Sequence, residues 1–214
     1  MGRENKKEAV AALHRDQIMK AAEKLFSEKG YEQTTIGDIS KASEYSRRTI
    51  YAYYESKDDI LHHIVEKGLI ELKRDIDSAI NRNEDFVTTY KVICMAMSKY
   101  QSEYHYSADN VNRANTANFD FENLSDTVKH ILVLGTEINT TLAAFIENGQ
   151  GKGVVRQDII PMLTVYILWS SITSFLTLAQ TKGQFISKQF SISESKFLDY
   201  GFNQIINSIL EVQI

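Results

Sequence analysis

Helix-breaking residues are scarce in this chain, and that scarcity constrains its fold more than any motif does. Among 214 residues there is one proline, Pro161, and there are ten glycines. Proline removes a backbone donor and clashes inside a helix, while glycine weakens a helix interior. With long apolar runs at helical spacing, this predicts an all-α fold, with room for one small and one medium domain.

Composition narrows the cellular setting. Hydrophobic residues make up 43% of the chain and charged residues 24%, as in ordinary soluble proteins. Cys94 is the single cysteine, so no intrachain disulfide can form, and the N-terminus lacks the apolar stretch of a secretory signal. We therefore expect a cytoplasmic protein.

Charge is divided unevenly along the chain. Residues 1–57 hold 11 Lys and Arg against 9 Asp and Glu, a net charge of +2, and the remaining residues hold 13 against 19, a net charge of −6. This division is typical of a protein that offers only its N-terminal part to phosphates.

The N-terminal part carries clear helix-start signals. Thr35 with Asp38 three residues later has the pattern of a capping box, and Ser46 and Ser56 suit the N-cap positions of the next two helices. A trihelical domain over 1–56, with 57–80 as a connector, is therefore expected. The predicted helices are 13–29, 36–43, 47–53 and 57–80.

The body, residues 81–214, has longer helical patterns. Glycines at 149, 151 and 153 predict a break, Asp158 is expected to cap the helix after it, and Ser191 with Glu194 forms a capping-box pattern for the last helix. The total comes to about nine helices. Those of the body are predicted near 85–106, 108–118, 123–148, 159–181 and 192–212.

The strongest functional signal lies between Ile18 and Leu61. A short helix, a tight turn and a second short helix beginning S-R-R-T would let the second helix enter a major groove, which is about 12 Å wide. Arg47 and Arg48 could bind guanine edges or phosphates through their forked guanidinium groups. Two adjacent arginines on so short a helix gain little from packing, so structure alone explains them poorly.

This stretch resembles the DNA-binding signature of the TetR/AcrR family. Paired alanines, LF, GY, TTI, DI, TIY and the SK helix start all stand in the family's register. The resemblance implies a regulator, most simply a repressor, that binds a palindromic operator as a homodimer and is released by a small-molecule inducer. The residues expected at the DNA are Arg15, Thr34, Thr35, Ser46, Arg47, Arg48, Thr49, Tyr51, Tyr53 and Lys57.

Two residues depart from the family pattern. Glu44 stands in the turn between the two short helices, where the family usually has glycine, and a non-glycine residue in the left-handed region costs about 1 kcal/mol. Arg48 stands where the family often has a small residue, so the operator sequence cannot be borrowed from relatives. Glu44 leaves open an alternative, a helical small-molecule-binding or interaction protein without operator binding.

The last two predicted helices carry apolar seams. The stretch 159–181 is uncharged and long enough to cross a bilayer, but its apolar residues recur every 3 or 4 positions, opposite most of its Ser and Thr residues. This favours a helix packed in water, without a membrane span, and the two seams suggest a four-helix dimer interface. The alternative is that both face the protomer's own core. The predicted interface residues are Val165, Leu168, Ile172, Phe175, Ala179, Leu198, Phe202, Ile205 and Ile209.

A pocket for an apolar small molecule is implied by the resemblance. The middle helices are rich in aromatic and soft residues, which could line such a cavity or simply fill the core. The candidates are Tyr90, Met97, Tyr100, Tyr104, His105, Phe119, Phe121, His130 and Trp169.

Catalytic motifs are missing from the sequence. There is no G-x-S-x-G, no P-loop and no H-E-x-x-H, and G-Q-G-K-G at 149–153 lacks the P-loop spacing. His62, His63 and Glu66 could start a metal site on one helix, but no matching cluster appears elsewhere. We expect neither an enzyme nor a cofactor or metal.

Overall fold

The all-α prediction is confirmed by a computed structural model, which describes residues 3–104 and 124–211. These residues form no strand, and their one isolated β-bridge joins Val155 to Leu210. The helix predicted at 108–118 lies outside the described residues. The helices are α1 Arg3–Lys29, α2 Ile36–Ser43, α3 Arg47–Tyr51, α4 Lys57–Asn81, α5 Phe86–Glu103, α6 Asp126–Gly151, α7 Pro161–Phe190 and α8 Glu194–Asn207.

The chain divides into two compact units. The first comprises Met1–Gly68 with Tyr104–Ile131, and the second comprises Leu69–Glu103 with Leu132–Ile214. The division falls within α4, inside the connector predicted from the sequence, and again within α6. The inclusion of Tyr104 and of 124–131 in the first unit is not visible in the sequence pattern.

One apolar stripe of α1 packs in the core of the first unit. Ile18, Ala22 and Phe26 are buried there, spaced by one helical turn each. Ile39 of α2 and Ile50 of α3 are completely buried as well. Each short helix is therefore fixed by one deeply buried isoleucine, which leaves its other faces open to solvent.

Helix starts in the first unit follow their caps. Thr35 and Asp38 form the predicted capping box, and the Ser46 side chain accepts the Thr49 N–H at 3.0 Å. The Ser56 hydroxyl accepts the Asp59 N–H at 3.0 Å. Differences appear only at uncapped ends, because α1 begins ten residues before the predicted Leu13 and α3 stops at Tyr51.

Helix ends in the second unit were predicted less well. Asp158 caps nothing and pairs instead with Arg156, and α7 starts at Pro161 with no side-chain capping bond. It runs to Phe190, well past the predicted end at 181. Ser191 is its left-handed C-cap, and Ser193 is the N-cap of α8.

Gly149 lies inside α6, where a break was predicted. The helix continues to Gly151, and the chain turns at Gly153, which has φ +69°. A Cβ on Gly149 would lie 2.6 Å from Val155 Cγ2 and 2.7 Å from Phe86 Cε2. Glycine is present at 149 because two side chains press against the helix backbone, so it does not end the helix.

The predicted dimer seams form the core of the second unit. Val165, Leu168 and Ile172 are buried within the protomer, as are Phe202 and Ile209. The interface prediction is wrong for these five residues, because an apolar stripe already covered by its own chain cannot meet a second copy.

The other predicted interface residues are only partly covered. Phe175 packs edge-on against Phe197 and Phe202, with ring centroids 5.3 and 5.6 Å apart, while Ala179, Leu198 and Ile205 are half-buried. By length and composition alone α7 could cross a membrane, with a mean hydropathy of 1.6. Of this apolar stretch, 22% is buried within the protein.

Candidate nucleic-acid interface

The turn between α2 and α3 keeps helix-turn-helix geometry without glycine. Glu44 ends α2 with φ 61° and ψ 12°, in the left-handed region. The Ser40 hydroxyl donates to the Tyr45 carbonyl at 2.7 Å and the Ser43 hydroxyl to the Ile39 carbonyl at 2.7 Å, which holds the turn from both sides. The turn is therefore formed at a cost of about 1 kcal/mol.

An exposed arginine pair begins α3. Ile50 is completely buried, whereas Arg47 and Arg48, at the start of this five-residue helix, are exposed to solvent. Tyr51, at the end of the helix, is 56% exposed. No side-chain hydrogen bond of either guanidinium is found among the described residues, so both groups keep donors for an external acceptor.

Gly37 makes room for one of these arginines. A Cβ on Gly37 would lie 2.6 Å from Nη2 of Arg47, so this guanidinium rests against the backbone of α2. The contact fixes where the charge is presented, beside the start of α3. No sequence rule identified Gly37, since its helical propensity alone argues against it.

The hydroxyl groups near α3 have partners inside the unit. The Thr49 hydroxyl lies 2.8 Å from that of Ser46, and the Tyr53 hydroxyl lies 3.0 Å from Nδ1 of His14. The Arg15 guanidinium carbon is 5.6 Å from the centroid of the Tyr53 ring, a cation–π distance. Tyr53 thus fastens α1 to the end of α3, with the charge of Arg15 alongside.

Two predicted phosphate ligands have structural roles. Thr34 is buried and its hydroxyl donates to the Gly30 carbonyl at 2.8 Å, so the prediction that it contacts DNA is wrong. Lys57 donates to the carbonyls of Tyr31 and Thr34 at 2.9 and 3.0 Å and lies 4.0 Å from the centroid of the Tyr31 ring. The ammonium group has three donors, and two of them hold the loop between α1 and α2.

Thr35 is engaged as a cap. Its hydroxyl donates to Asp38 Oδ2 at 2.6 Å, and the same carboxylate lies 2.8 Å from Lys29 Nζ. The Lys29 hydrogen bond, followed by the bonds from Thr35, holds the pKa of Asp38 well below its usual range. The helix start is thereby fixed in its anionic form. Tyr54 is buried and its hydroxyl donates to the Arg15 carbonyl, as expected of a core residue.

A small apolar cavity of about 40 Å³ lies in the second unit. Tyr90, Met97 and Trp169, three of the predicted pocket residues, line it, and the Tyr90 hydroxyl donates to the Phe202 carbonyl at 3.2 Å. Burial raises the pKa of Tyr90. The remaining lining residues are Phe86, Ile93, Leu142, Phe145, Ile146, Val165, Leu168, Ile172, Ile206 and Ile209.

Part of this lining was visible in the sequence. Phe86, Tyr90, Ile93 and Met97 follow each other at intervals of 4, 3 and 4 on α5, which is a helical seam. The aliphatic residues from the other helices were missed, because a seam does not tell which neighbours it meets.

Several predicted pocket residues lie elsewhere. His130 is exposed, its Nδ1 lies 2.6 Å from Glu66 Oε1 in the first unit, and it does not line this cavity. Tyr104 is buried in the first unit and Tyr100 is half-buried, and neither lines this cavity. His105, Phe119 and Phe121 fall outside the described residues. No metal-binding cluster of His, Cys, Asp and Glu occurs within 3–104 and 124–211.

The described residues form an all-helical protein with an N-terminal helix-turn-helix, whose second helix begins with two arginines. Residues 18–64 match the family model described as bacterial regulatory proteins, tetR family. This match covers the helix-turn-helix and the start of α4.

Curated relatives share this region and, in one case, most of the chain. The HTH-type transcriptional regulator YfiR of Bacillus subtilis, itself uncharacterised, is 36% identical over 74 residues, which cover 33% of this chain and 36% of YfiR. The HTH-type transcriptional repressor NicS of Pseudomonas putida is 27% identical over 166 residues, which cover 75% of this chain and 74% of NicS. The match to YfiR thus spans about a third of that protein's length.

Solved structures share the whole fold. The fatty acid degradation regulator FadR of Bacillus halodurans superposes with a TM-score of 0.66 at 19% identity, covering 90% of this chain and 94% of FadR. At this identity the likeness concerns the fold alone.

Proposed function

We propose that the protein is a cytoplasmic transcriptional repressor that binds a palindromic operator as a homodimer and leaves it when a small apolar molecule binds. The observation that carries the proposal is the pair Arg47 and Arg48, exposed at the start of a capped helix after a helix-turn-helix turn. Guanidinium groups pair two acceptors at once, and arginine with guanine is the commonest base-specific contact in the major groove.

Repression is proposed because of the relatives. NicS, which matches most of the chain, is described as a transcriptional repressor. A repressor needs no surface for RNA polymerase, so a compact helix-turn-helix unit and an effector-binding body are sufficient for the role.

The dimer is proposed to form through the outer face of α7. Leu163, Tyr166 and Ile167 are more than half exposed, and Leu178 is 40% exposed further along the helix. Ser170 and Ser174 stand between them at helical spacing and are also exposed, so a second helix can approach closely there. A dimer would offer two α3 helices to half-sites separated by about 34–36 Å or a multiple of it, as helix-turn-helix dimers do.

The effector is proposed to act through the cavity of the second unit. Its lining carries no charged side chain, so it favours an uncharged apolar group. The ligand would shift the protein toward a conformation that fits the operator poorly, and it can do so only by its difference in affinity for the two conformations.

The test is selection of bound duplexes from random DNA, followed by affinity measurements with the selected sequence. The double variant Arg47→Glu, Arg48→Glu should bind at least about 100-fold more weakly, since each bidentate base contact is worth about 1–3 kcal/mol. The matched control is Arg74→Glu, Arg82→Glu, which makes the same charge change on exposed arginines outside the first unit.

Two results would contradict the proposal. One is the recovery of no duplex at low ionic strength, and the other is an equal loss of affinity in both double variants. The second candidate function, a helical ligand-binding protein without operator binding, is favoured by the exposed carboxylate of Glu44 in the turn, which would repel phosphates. It predicts the first of these two results.

A further inference from the structure

A polar groove opens on the surface of the second unit. It lies where the end of α4 and the start of α5 meet α6, and its volume is about 520 Å³. Ligand pockets commonly occupy about 300–1,000 Å³, so the groove is large enough for a small molecule. The inner cavity of about 40 Å³ is too small to hold one by itself.

Unused hydrogen-bonding groups converge on this groove. Thr89 is only 3% exposed and Thr141 is half-buried, and their hydroxyls have no hydrogen bond within the part of the chain that the structure describes. Asn148 adds an amide, and Glu84 and Lys152 add one charge of each sign. The Thr89 side chain is thus almost buried, while its hydroxyl makes no hydrogen bond within the described ranges that would occupy its donor.

Other threonines of α6 show the usual arrangement. The Thr136 hydroxyl donates to the Leu132 carbonyl at 2.9 Å, and the Thr140 hydroxyl donates to the Thr136 carbonyl at 2.9 Å. Donation to the carbonyl one turn earlier satisfies a helical threonine without any ligand. Thr141 does not use this bond, so its hydroxyl remains available to the groove.

Two stacked rings form the wall between the groove and the inner cavity. Phe86 and Phe145 lie parallel, with centroids 4.4 Å apart and an interplanar angle of 5°, and both line the two spaces. Gly149 lets the Phe86 ring lie directly on the backbone of α6. These two rings are the residues that the groove and the inner cavity share.

We propose that the groove and the inner cavity together bind one amphipathic molecule, whose alkyl chain parts the stacked Phe86 and Phe145 rings to reach the cavity and whose outer end is an uncharged oxygen-bearing group. Thr89, Thr141 and Asn148 would donate to that oxygen. The outer end is uncharged because Glu84 and Lys152 both border the groove, so neither sign of charge is favoured. The inference rests on the proposed effector function and names the chemistry of the effector.

The single tryptophan provides a direct test. Trp169 is the only tryptophan in the chain and lines the inner cavity, so a bromine atom that enters the cavity should quench its fluorescence. The probe is 8-bromooctan-1-ol, with 1-octanol as the control for effects other than bromine quenching. We expect saturable quenching by the bromoalcohol, relieved by competition with 1-octanol.

Groove variants locate the polar end of the probe. Thr141→Ala with Asn148→Ala should weaken binding of the bromoalcohol by about 10- to 100-fold, since each of the two lost hydrogen bonds is worth a factor of about three to ten. Thr136→Ala, the same change on the same helix outside the groove, should leave binding unchanged. Circular dichroism on each variant establishes that it is folded.

Three results would overturn the proposal: no saturable quenching, equal affinities in the groove variant and the wild type, or tighter binding of 8-bromooctanoate than of the bromoalcohol. The last would mean an anionic ligand. Failure here leaves operator binding by the wild type intact, whereas failure of the repressor proposal appears in the DNA assay and leaves the quenching intact.

Discussion

The two units place their functional groups in opposite ways. In the first unit the arginines stand on the outside of short, capped helices, and each helix is fixed by one buried isoleucine. In the second unit the residues proposed to bind the effector line a cavity and come from four helices. The first arrangement depends on contacts between residues three or four apart, and the second depends on contacts far apart in sequence. Substitutions can test whether this difference is real.

The largest stability effect is expected at the corrected seam of α7. Ile172→Ala should lower the free energy of unfolding by about 2–5 kcal/mol, because it leaves a cavity in the core of the protomer. Ile167→Ala, on the exposed face of the same helix, should cost the monomer about 0.5 kcal/mol or less and weaken the dimer instead. Urea unfolding and analytical ultracentrifugation measure the two effects, and a monomer equally sensitive to both would refute the assignment of faces.

The same seam shows what the sequence could not decide. Apolar residues at intervals of 3 and 4 predict that one face of α7 packs, and this is correct. They do not say whether the covering surface belongs to the same chain or to a second one, because both present the same side chains. The packing of α5 and α8 against α7 shows that the covering surface belongs to the same chain.

A second effect of long-range packing is expected at Gly201 of α8. A Cβ there would lie 2.1 Å from Cζ of Phe175, so Gly201→Ala should force the ring aside and destabilise the protein by about 1–3 kcal/mol. Combining it with Phe175→Leu should recover part of the loss in thermal unfolding. An alanine variant as stable as the wild type would show that the ring moves freely.

A gain of stability is expected from a substitution in the turn between α2 and α3. Glu44→Gly should stabilise the first unit by up to about 1 kcal/mol, since glycine adopts the left-handed conformation without strain. It also removes a carboxylate from the proposed DNA side, so operator affinity should not fall. Glu44→Gln, which keeps the strain and removes only the charge, separates the two contributions. Lower stability of the glycine variant would contradict the strain assigned to this turn.

The sequence predicts where the helices beside this turn begin, but not how they pack against each other. The bounds of α2 were predicted to the residue, because Thr35 and Asp38 satisfy the helix start by themselves. The Gly37 contact with Arg47 could not be predicted, since it depends on the angle between α2 and α3. Local caps therefore predict where helices begin, and the presentation of side chains between helices needs the structure.

The smallest effect concerns pH. Burial lowers the pKa of His62 below its usual 6.5, and Asp58 and Asp59 only partly oppose this. Below about pH 6.5 the unfolded chain therefore binds a proton more readily than the folded chain does. The free energy of unfolding should fall as the pH drops below this value and should not depend on His62 well above it. His62→Gln should reduce the fall in the free energy of unfolding between pH 7 and pH 5. An unchanged slope in urea titrations would exclude His62 as its source.

The labelling of the single cysteine reports how often the second unit opens. Cys94 is completely buried, and burial raises the pKa of its thiol to about 12. A thiol reagent in solution meets a reactive thiolate only when this part of the molecule opens. The labelling rate of the native protein thus measures how often the region around α5 opens. A molecule bound beside that helix would lower this rate without any change to the chain.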